Sequence, residues 1–184
     1  MSKVPNATIT HVGLHVRDLG VMEQFYTRYL GLVVTDRGDL GDRKLVFLSR
    51  DAREHHQLVL VSGRADQGQD SVLNQVSLRV ADLDALRYFQ MQAGACGGHD
   101  AQAVTHGNAI SLYVRDPEGN RLELYIDTPW YVSQPLRVPV DLAKSEDAVW
   151  KGVHACVRRL PGFRPVEEWR HELEARIAAE QVRP

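Results

Sequence analysis

THVGLHVRDLGVMEQFY (Thr10–Tyr26) returns 64 residues later as NQVSLRVADLDALRYFQ (Asn74–Gln90). Val12 and Val76, Leu14 and Leu78, Val16 and Val80, Asp18 and Asp82, Leu19 and Leu83, and Phe25 and Phe89 coincide. An internal repeat must be recognised first, because missing it misassigns the whole fold. Each copy alternates apolar and polar residues, meets an aspartate, and turns to helical spacing. Asp18 and Asp82 suit helix N-caps, where a carboxylate accepts backbone N–H groups that have no partner inside the helix.

Outward from each copy the chain reads as further strands. The first half predicts strands at Leu32–Thr35, Lys44–Ser49 and Gln57–Ser62, and the second at Ala109–Arg115 and Arg121–Asp127. Gly38-Asp39, Gly41-Asp42 and Asp116-Pro117-Glu118-Gly119-Asn120 are turn sequences between them. Each half is therefore a strand, a helix and about three strands. The fold class is α+β: two tandem βαβββ modules, about 8–63 and 72–128, within a domain over 1–128, with a curved mixed sheet around a metal cavity. Arg64–Ser71 reads as a polar linker. Residues 129–184 form a C-terminal helical extension. Pro129, Pro135 and Pro139 make its start extended, and Ser145-Glu146-Asp147 opens a helix near 146–158. Pro161-Gly162 stops that helix. An amphipathic helix over about 165–180 carries Trp169, Leu173 and Ile177 at helical spacing.

The 184 residues are 43% hydrophobic and 25% charged, an ordinary globular balance. A net charge of -2 gives no reason to expect nucleic acid or an acidic membrane as partner. No apolar run approaches the ~20 residues that cross a bilayer. Met1-Ser2-Lys3-Val4-Pro5 is too polar for a signal peptide, so a reducing cytoplasm is the expectation. Cys96 and Cys156 have neither metal spacing nor a disulfide framework, and read as plain buried or half-buried thiols.

Side chains alternate along a strand, so parity assigns faces. Val12, Leu14 and Val16 oppose His11, Gly13 and His15. Val76, Leu78 and Val80 oppose Gln75, Ser77 and Arg79. Ile110, Leu112 and Val114 oppose Ser111, Tyr113 and Arg115. Leu122, Leu124 and Ile126 oppose Arg121, Glu123 and Tyr125. The apolar faces suit packing on helices. The other faces carry His, Gln, Tyr and Glu instead of a lysine coat, which suits either an enclosed polar cavity or a solvated sheet. His56 shares parity with Leu58 and Leu60, so pattern alone does not choose between it and His55. His11 in an opening strand, with His56 and Glu123 near the starts of closing strands, would supply two imidazoles and a carboxylate. That set holds non-haem Fe(II) with positions open for substrate and oxygen. A structural role for each histidine is the rival reading.

Val104–Glu123, VTHGNAISLYVRDPEGNRLE, resembles the signature of extradiol, ring-cleaving catechol dioxygenases through His106, Leu112-Tyr113, Asp116-Pro117, Gly119 and Glu123. THVGLHVRD and His56-Gln57-Leu58-Val59-Leu60 resemble that family's two histidine-ligand regions. The resemblance spans roughly residues 8–128 and extends to the vicinal oxygen chelate superfamily, which includes glyoxalase I and the fosfomycin and bleomycin resistance proteins. It implies paired βαβββ modules, as the repeat does. It implies a cytoplasmic oxidoreductase of the small one-domain, biphenyl-diol type, in aromatic hydrocarbon catabolism. Fe(II) would be held by His11, His56 and Glu123, and Mn(II) accepts the same ligands. His106 and Tyr113 would act on substrate and oxygen. The partners would be a small aromatic diol and O2, and the chain would be a homo-oligomer, a dimer or larger.

Two departures stand out. Larger relatives carry four modules where this chain has one pair, and they have an extra acid–base histidine upstream of the second ligand. Asp36–Glu54 contains no histidine, which leaves His55 or His15 as substitutes. Three rivals remain. In a glyoxalase-like isomerase or lyase, Gln75 would be a fourth ligand beside His11, His56 and Glu123. A fosfomycin-type transferase would use Arg79, Arg115 or Arg121 on a phosphate. A non-catalytic module would sequester an aromatic compound or antibiotic. Trp130, Tyr131, Trp150 and Trp169 in the extension suit a pocket wall, a dimer contact or plain core.

Overall fold

The computed structural model describes residues 7–65 and 73–180. The Met1–Pro5 segment and most of the Arg64–Ser71 linker lie outside the described residues. The first module runs β1 (Val12–Val16), α1 (Leu19–Tyr29), β2 (Val33–Leu40), β3 (Arg43–Ser49) and β4 (Leu58–Ser62). The second runs β5 (Val76–Arg79), α2 (Leu83–Gln92), β6 (His99–Thr105), β7 (Ala109–Arg115) and β8 (Arg121–Asp127). The α+β class and both βαβββ modules stand as read. β6 is the strand that pattern missed: HDAQAVT is mostly exposed and does not alternate cleanly.

Asp18 and Asp82 are the N-caps of α1 and α2, each accepting the backbone N–H three residues on. Beyond the modules lie β9 (Trp130–Tyr131), β10 (Val138–Pro139), α3 (Glu146–Val157), β11 (Arg164–Pro165) and α4 (Val166–Glu180). Ser145 caps α3 as its sequence predicts. α4 is not the amphipathic helix its spacing suggests. Trp169 stacks on Tyr131 at 5.1 Å, but Ile177 remains 49% exposed.

The strands form one sheet per module, in the orders β1-β4-β3-β2 and β10-β6-β7-β8-β5. The repeat persists in their register. Val12 faces Leu58 in the first parallel pair, and Val76 faces Leu122 in the second. The same offset makes Val59, not His56, the counterpart of Glu123. His56 lies in the loop before β4 and Glu123 is the third residue of β8, so the two are not at equivalent places.

The predicted apolar faces are buried. Val16, Met22, Leu48, Leu60, Leu86, Ile110 and Leu112 form the centre of one continuous core that joins both modules. The β7–β8 turn fastens that junction. Asp116 is fully buried. Its carboxylate accepts from the backbone N–H groups of Glu118 and Asn120, the Asn120 amide and the Tyr26 hydroxyl of α1. Glu118 Oε1 accepts from the Arg17 and Asp18 amides at the mouth of α1. Gly119 makes the turn with φ +85°, a conformation that costs glycine nothing.

Candidate functional site

Glu123 is the centre of a polar cluster on the second sheet. β5, β8 and β7 lie side by side, and their registers set Ser77 and Tyr113 on either side of Glu123. Glu123 is 8% exposed, and both its oxygens accept hydrogen bonds. Oε2 accepts from Gln75 Nε2 at 2.7 Å and Ser77 Oγ at 2.5 Å. Oε1 accepts from Ser111 Oγ at 2.8 Å, and the Tyr113 hydroxyl lies 2.9 Å away. A carboxylate only accepts, so the Gln75 amide must turn its nitrogen toward it. Gln75 therefore orients Glu123 in this arrangement and does not present its oxygen there. Ser77 and Ser111 were legible only as face residues; their role follows once β5 and β7 are known to flank β8.

His106 joins this cluster from the β6–β7 turn. Its Nε2 is 2.9 Å from the Tyr113 hydroxyl and its Nδ1 is 2.6 Å from the Leu136 carbonyl. A carbonyl only accepts, so Nδ1 carries a proton, and Nε2 is the nitrogen turned to the Tyr113 hydroxyl. The Tyr113 hydroxyl has one proton and two acceptors, His106 and Glu123. Burial, with Glu123 beside it, pushes the Tyr113 phenol up to about 12, so it stays protonated at neutral pH. Gln134 Nε2 donates to the His106 carbonyl at 2.6 Å, so the first segment of the extension clamps this turn from outside. The extension packs closely on the same turn at Gly107, where a Cβ would meet Val132 at 2.3 Å. Nothing in the sequence around Gln134–Arg137 signals such a role. The tail aromatics pack elsewhere: Trp130 sits against Trp150, His154 and Phe163.

The first sheet holds the histidines. His11 and His56 stand with ring centroids 4.4 Å apart, and Phe47 of β3 lies 5.2 Å from His56. Because His56 precedes its strand, strand parity does not govern it, and its ring turns to the His11 side. His55 Nδ1 is 2.9 Å from His56 Nδ1. Partial burial, then His11 and His55, hold the His56 imidazole below its ordinary pKa, which favours the neutral form a metal requires. His15 is exposed further along the His11 face of β1. Cys156 is exposed, not buried as expected, and Cys96 is half-buried; both are free thiols.

The donor types suit a divalent metal: two neutral imidazoles and one carboxylate. Within one chain, however, no three His, Cys, Asp or Glu side chains among the described residues converge on a metal-sized point. The structure brings His11 and His56 together, and separately gathers Gln75, His106, Tyr113 and Glu123. The two groups stand on different sheets. His11 adjoins β1 and Gln75 adjoins β5, and each of these strands is an edge of its sheet.

Residues 8–124 match the family model described as the Glyoxalase/Bleomycin resistance protein/Dioxygenase superfamily, and the chain belongs to that superfamily. A glyoxylase/bleomycin resistance protein/dioxygenase domain from Frankia sp. EAN1pec is 21% identical, with TM-score 0.57 over 67% of this chain and 100% of that one. The fosfomycin resistance protein FosX from Listeria monocytogenes, complexed with Mn(II) and sulfate, is 16% identical, with TM-score 0.53 over 67% of this chain and 95% of that one. A glyoxalase I mutant from Zea mays is 22% identical, with TM-score 0.51 over 62% of this chain and 44% of that one. At these identities the likeness is one of fold. No curated protein matches the chain. Among the described residues no helix is long and apolar enough to cross a membrane.

Proposed function

We propose that this protein is an extradiol dioxygenase, opening a small aromatic diol with O2, and that its metal centre is completed between two copies of the chain. The observation that carries the reaction is the hydrogen-bonded sequence His106–Tyr113–Glu123. Ring opening requires a diol to lose protons and an oxygen species to gain them, and an imidazole backed by a phenol serves both needs. An isomerase that used Gln75 as ligand would leave this sequence idle and would require the Gln75 amide to turn away from Glu123.

His11 and His56 of one copy, with Glu123 of the other, would hold Fe(II) or Mn(II). The split of donors between two sheets, and the edge positions of β1 and β5, support this sharing. In a twofold dimer the same edges can meet reciprocally. The bound metal would supply Lewis acidity toward the diol and a place for oxygen beside it. The chain's own residues supply the rest. Gln75, Ser77 and Ser111 fix the Glu123 carboxylate by hydrogen bonds to both oxygens, as outer groups orient metal ligands elsewhere. His106 Nε2 accepts the diol proton, and the Leu136 carbonyl keeps its ring turned for that task. Tyr113 remains a phenol and donates a hydrogen bond. His55, against His56, is the proton carrier available in the first module, with His15 further along β1.

The test is anaerobic loading with Fe(II), then oxygen and a panel of catechols, with visible absorbance and oxygen uptake recorded. A yellow ring-opened product that is lost in His56→Ala and Glu123→Ala supports the reading. Failure to retain stoichiometric metal overturns it.

A further inference from the structure

The face that carries Glu123 continues past Tyr113 into a second cavity of about 230 Å³, lined by Asp100, Gln102, Tyr113, Arg115, Arg121 and Arg137. Tyr113 also lines the Glu123 cavity, so one ring separates the two spaces. The second cavity holds three guanidinium groups and one carboxylate. Asp100 Oδ2 lies 3.6 Å from Arg115 Nε, and Arg115 also donates to the Gly119 carbonyl at 2.7 Å. Arg137 donates to Gln102 Oε1 at 3.0 Å. Neither Arg121 nor Arg137 has a carboxylate within ion-pair distance among the described residues. Their guanidinium carbons lie 5.9 and 5.4 Å from the centroid of the Tyr113 ring.

This arrangement sets like charges against one another. Arg115 and Arg121 are directly opposed partners in the β7–β8 register, and like charges in that position repel. Both are half-buried, so water screens them incompletely. Arg137 adds a third positive charge from the extension. With three guanidinium groups against the one carboxylate of Asp100, the concave site keeps an excess of positive charge, which raises the local concentration of anions. Arginine's planar fork pairs two N–H donors with the two oxygens of a carboxylate, so the residue type also selects the shape of the anion.

We propose that the Arg115/Arg121/Arg137 cavity is a carboxylate-binding subsite, and that the aromatic diol taken up beside Glu123 carries an ionised carboxyl group. The diol part rests on the function proposed above, and the anion part does not. A carboxylate here would relieve the Arg115–Arg121 repulsion and set the ring against Tyr113 facing the Glu123 cavity. It would also give the extension a purpose, since Arg137 lies in it.

The test is calorimetric titration of the metal-free full-length protein with benzoate, 3,4-dihydroxybenzoate, catechol and inorganic phosphate. Both carboxylates are expected to bind at least about tenfold more tightly than catechol. Arg121→Gln and Arg137→Gln should each remove about a factor of ten from carboxylate binding and leave catechol binding unchanged, and Arg121→Gln, which also removes the charge facing Arg115, should not lower the thermal midpoint. Arg121→Lys, which keeps charge but not the fork, should fall between. Equal affinity for catechol and 3,4-dihydroxybenzoate, no carboxylate binding, or no effect of the glutamine variants overturns the subsite. Phosphate binding as tight as benzoate overturns its assignment to carboxylates. Selective carboxylate binding without turnover of any Fe(II)-loaded diol would leave the subsite standing and remove the dioxygenase reading. Equal turnover of catechol and 3,4-dihydroxybenzoate would do the reverse.

Discussion

Two inactive variants should restore each other if His11 of one copy works with Glu123 of its partner. His11→Ala removes an exposed ring and leaves the core untouched. Glu123→Ala takes the acceptor from Gln75, Ser77, Ser111 and Tyr113. Buried groups left unsatisfied cost about 1–3 kcal/mol each. Three of these four are hydroxyls that can turn to one another or to entering water, so a net loss of about 2–4 kcal/mol follows. That leaves a domain of ordinary stability folded, at about 5–15 kcal/mol to start. Each variant alone forms dimers in which both centres lack a ligand. After re-pairing of an equal mixture, about half the dimers are mixed, and each of these has one intact centre and one doubly defective centre. The mixture should therefore hold about a quarter of the metal and activity of the unaltered protein. Metal content after desalting is the primary assay, because it does not depend on the substrate; catechol turnover is the second. Subunit exchange is verified with differently tagged chains. Exchange without any recovery would refute the shared centre. Full metal retention by either variant alone would refute the ligand assignment.

Asp116→Ala should lower stability by about 3 kcal/mol or more in a denaturant titration, because four buried donors lose their acceptor. A loss below about 1 kcal/mol would mean that the β7–β8 turn does not fasten the modules. His106→Ala should cut kcat by about 10²–10⁴ with metal content unchanged, the range for a lost acid–base group; an unaltered kcat would remove His106 from the proton path. His56 binds its proton less readily when folded than when unfolded. Its contribution to stability is present above about pH 6.5 and is lost as pH falls through the lower folded value. Thermal midpoints across pH 5–8 should show this acid-side loss, and His56→Gln should flatten it.

The signature Val104–Glu123 divides into two kinds of residue. Asp116, Gly119 and Asn120 build a turn that ties the second module to α1 of the first. His106, Tyr113 and Glu123 form the hydrogen-bonded sequence to which the proposed reaction assigns proton handling. Both were visible as a single motif, because structural and chemical constraints fall within the same 20 residues of chain. Only hydrogen-bond partners separate them.

Local physics made the fold legible. The repeat, the alternation of apolar residues and the caps at Asp18, Asp82 and Ser145 all act over a few residues, so the sequence by itself determined two βαβββ modules, the boundaries of most elements and the inward faces of β1, β5, β7 and β8. It missed β6, whose side chains are largely exposed and so carry little pattern. Assigning His11, His56 and Glu123 to one centre depends on which sheet each side chain stands on, and this is a matter of non-local pairing. Tertiary structure decided that Val59, not His56, is the counterpart of Glu123, and that Gln75 faces the carboxylate. It also decided that Gln134, Leu136 and Arg137, from an extension with no readable pattern, close around His106 and Tyr113. Those contacts join residues about 30 positions apart through a loop path that no local propensity specifies.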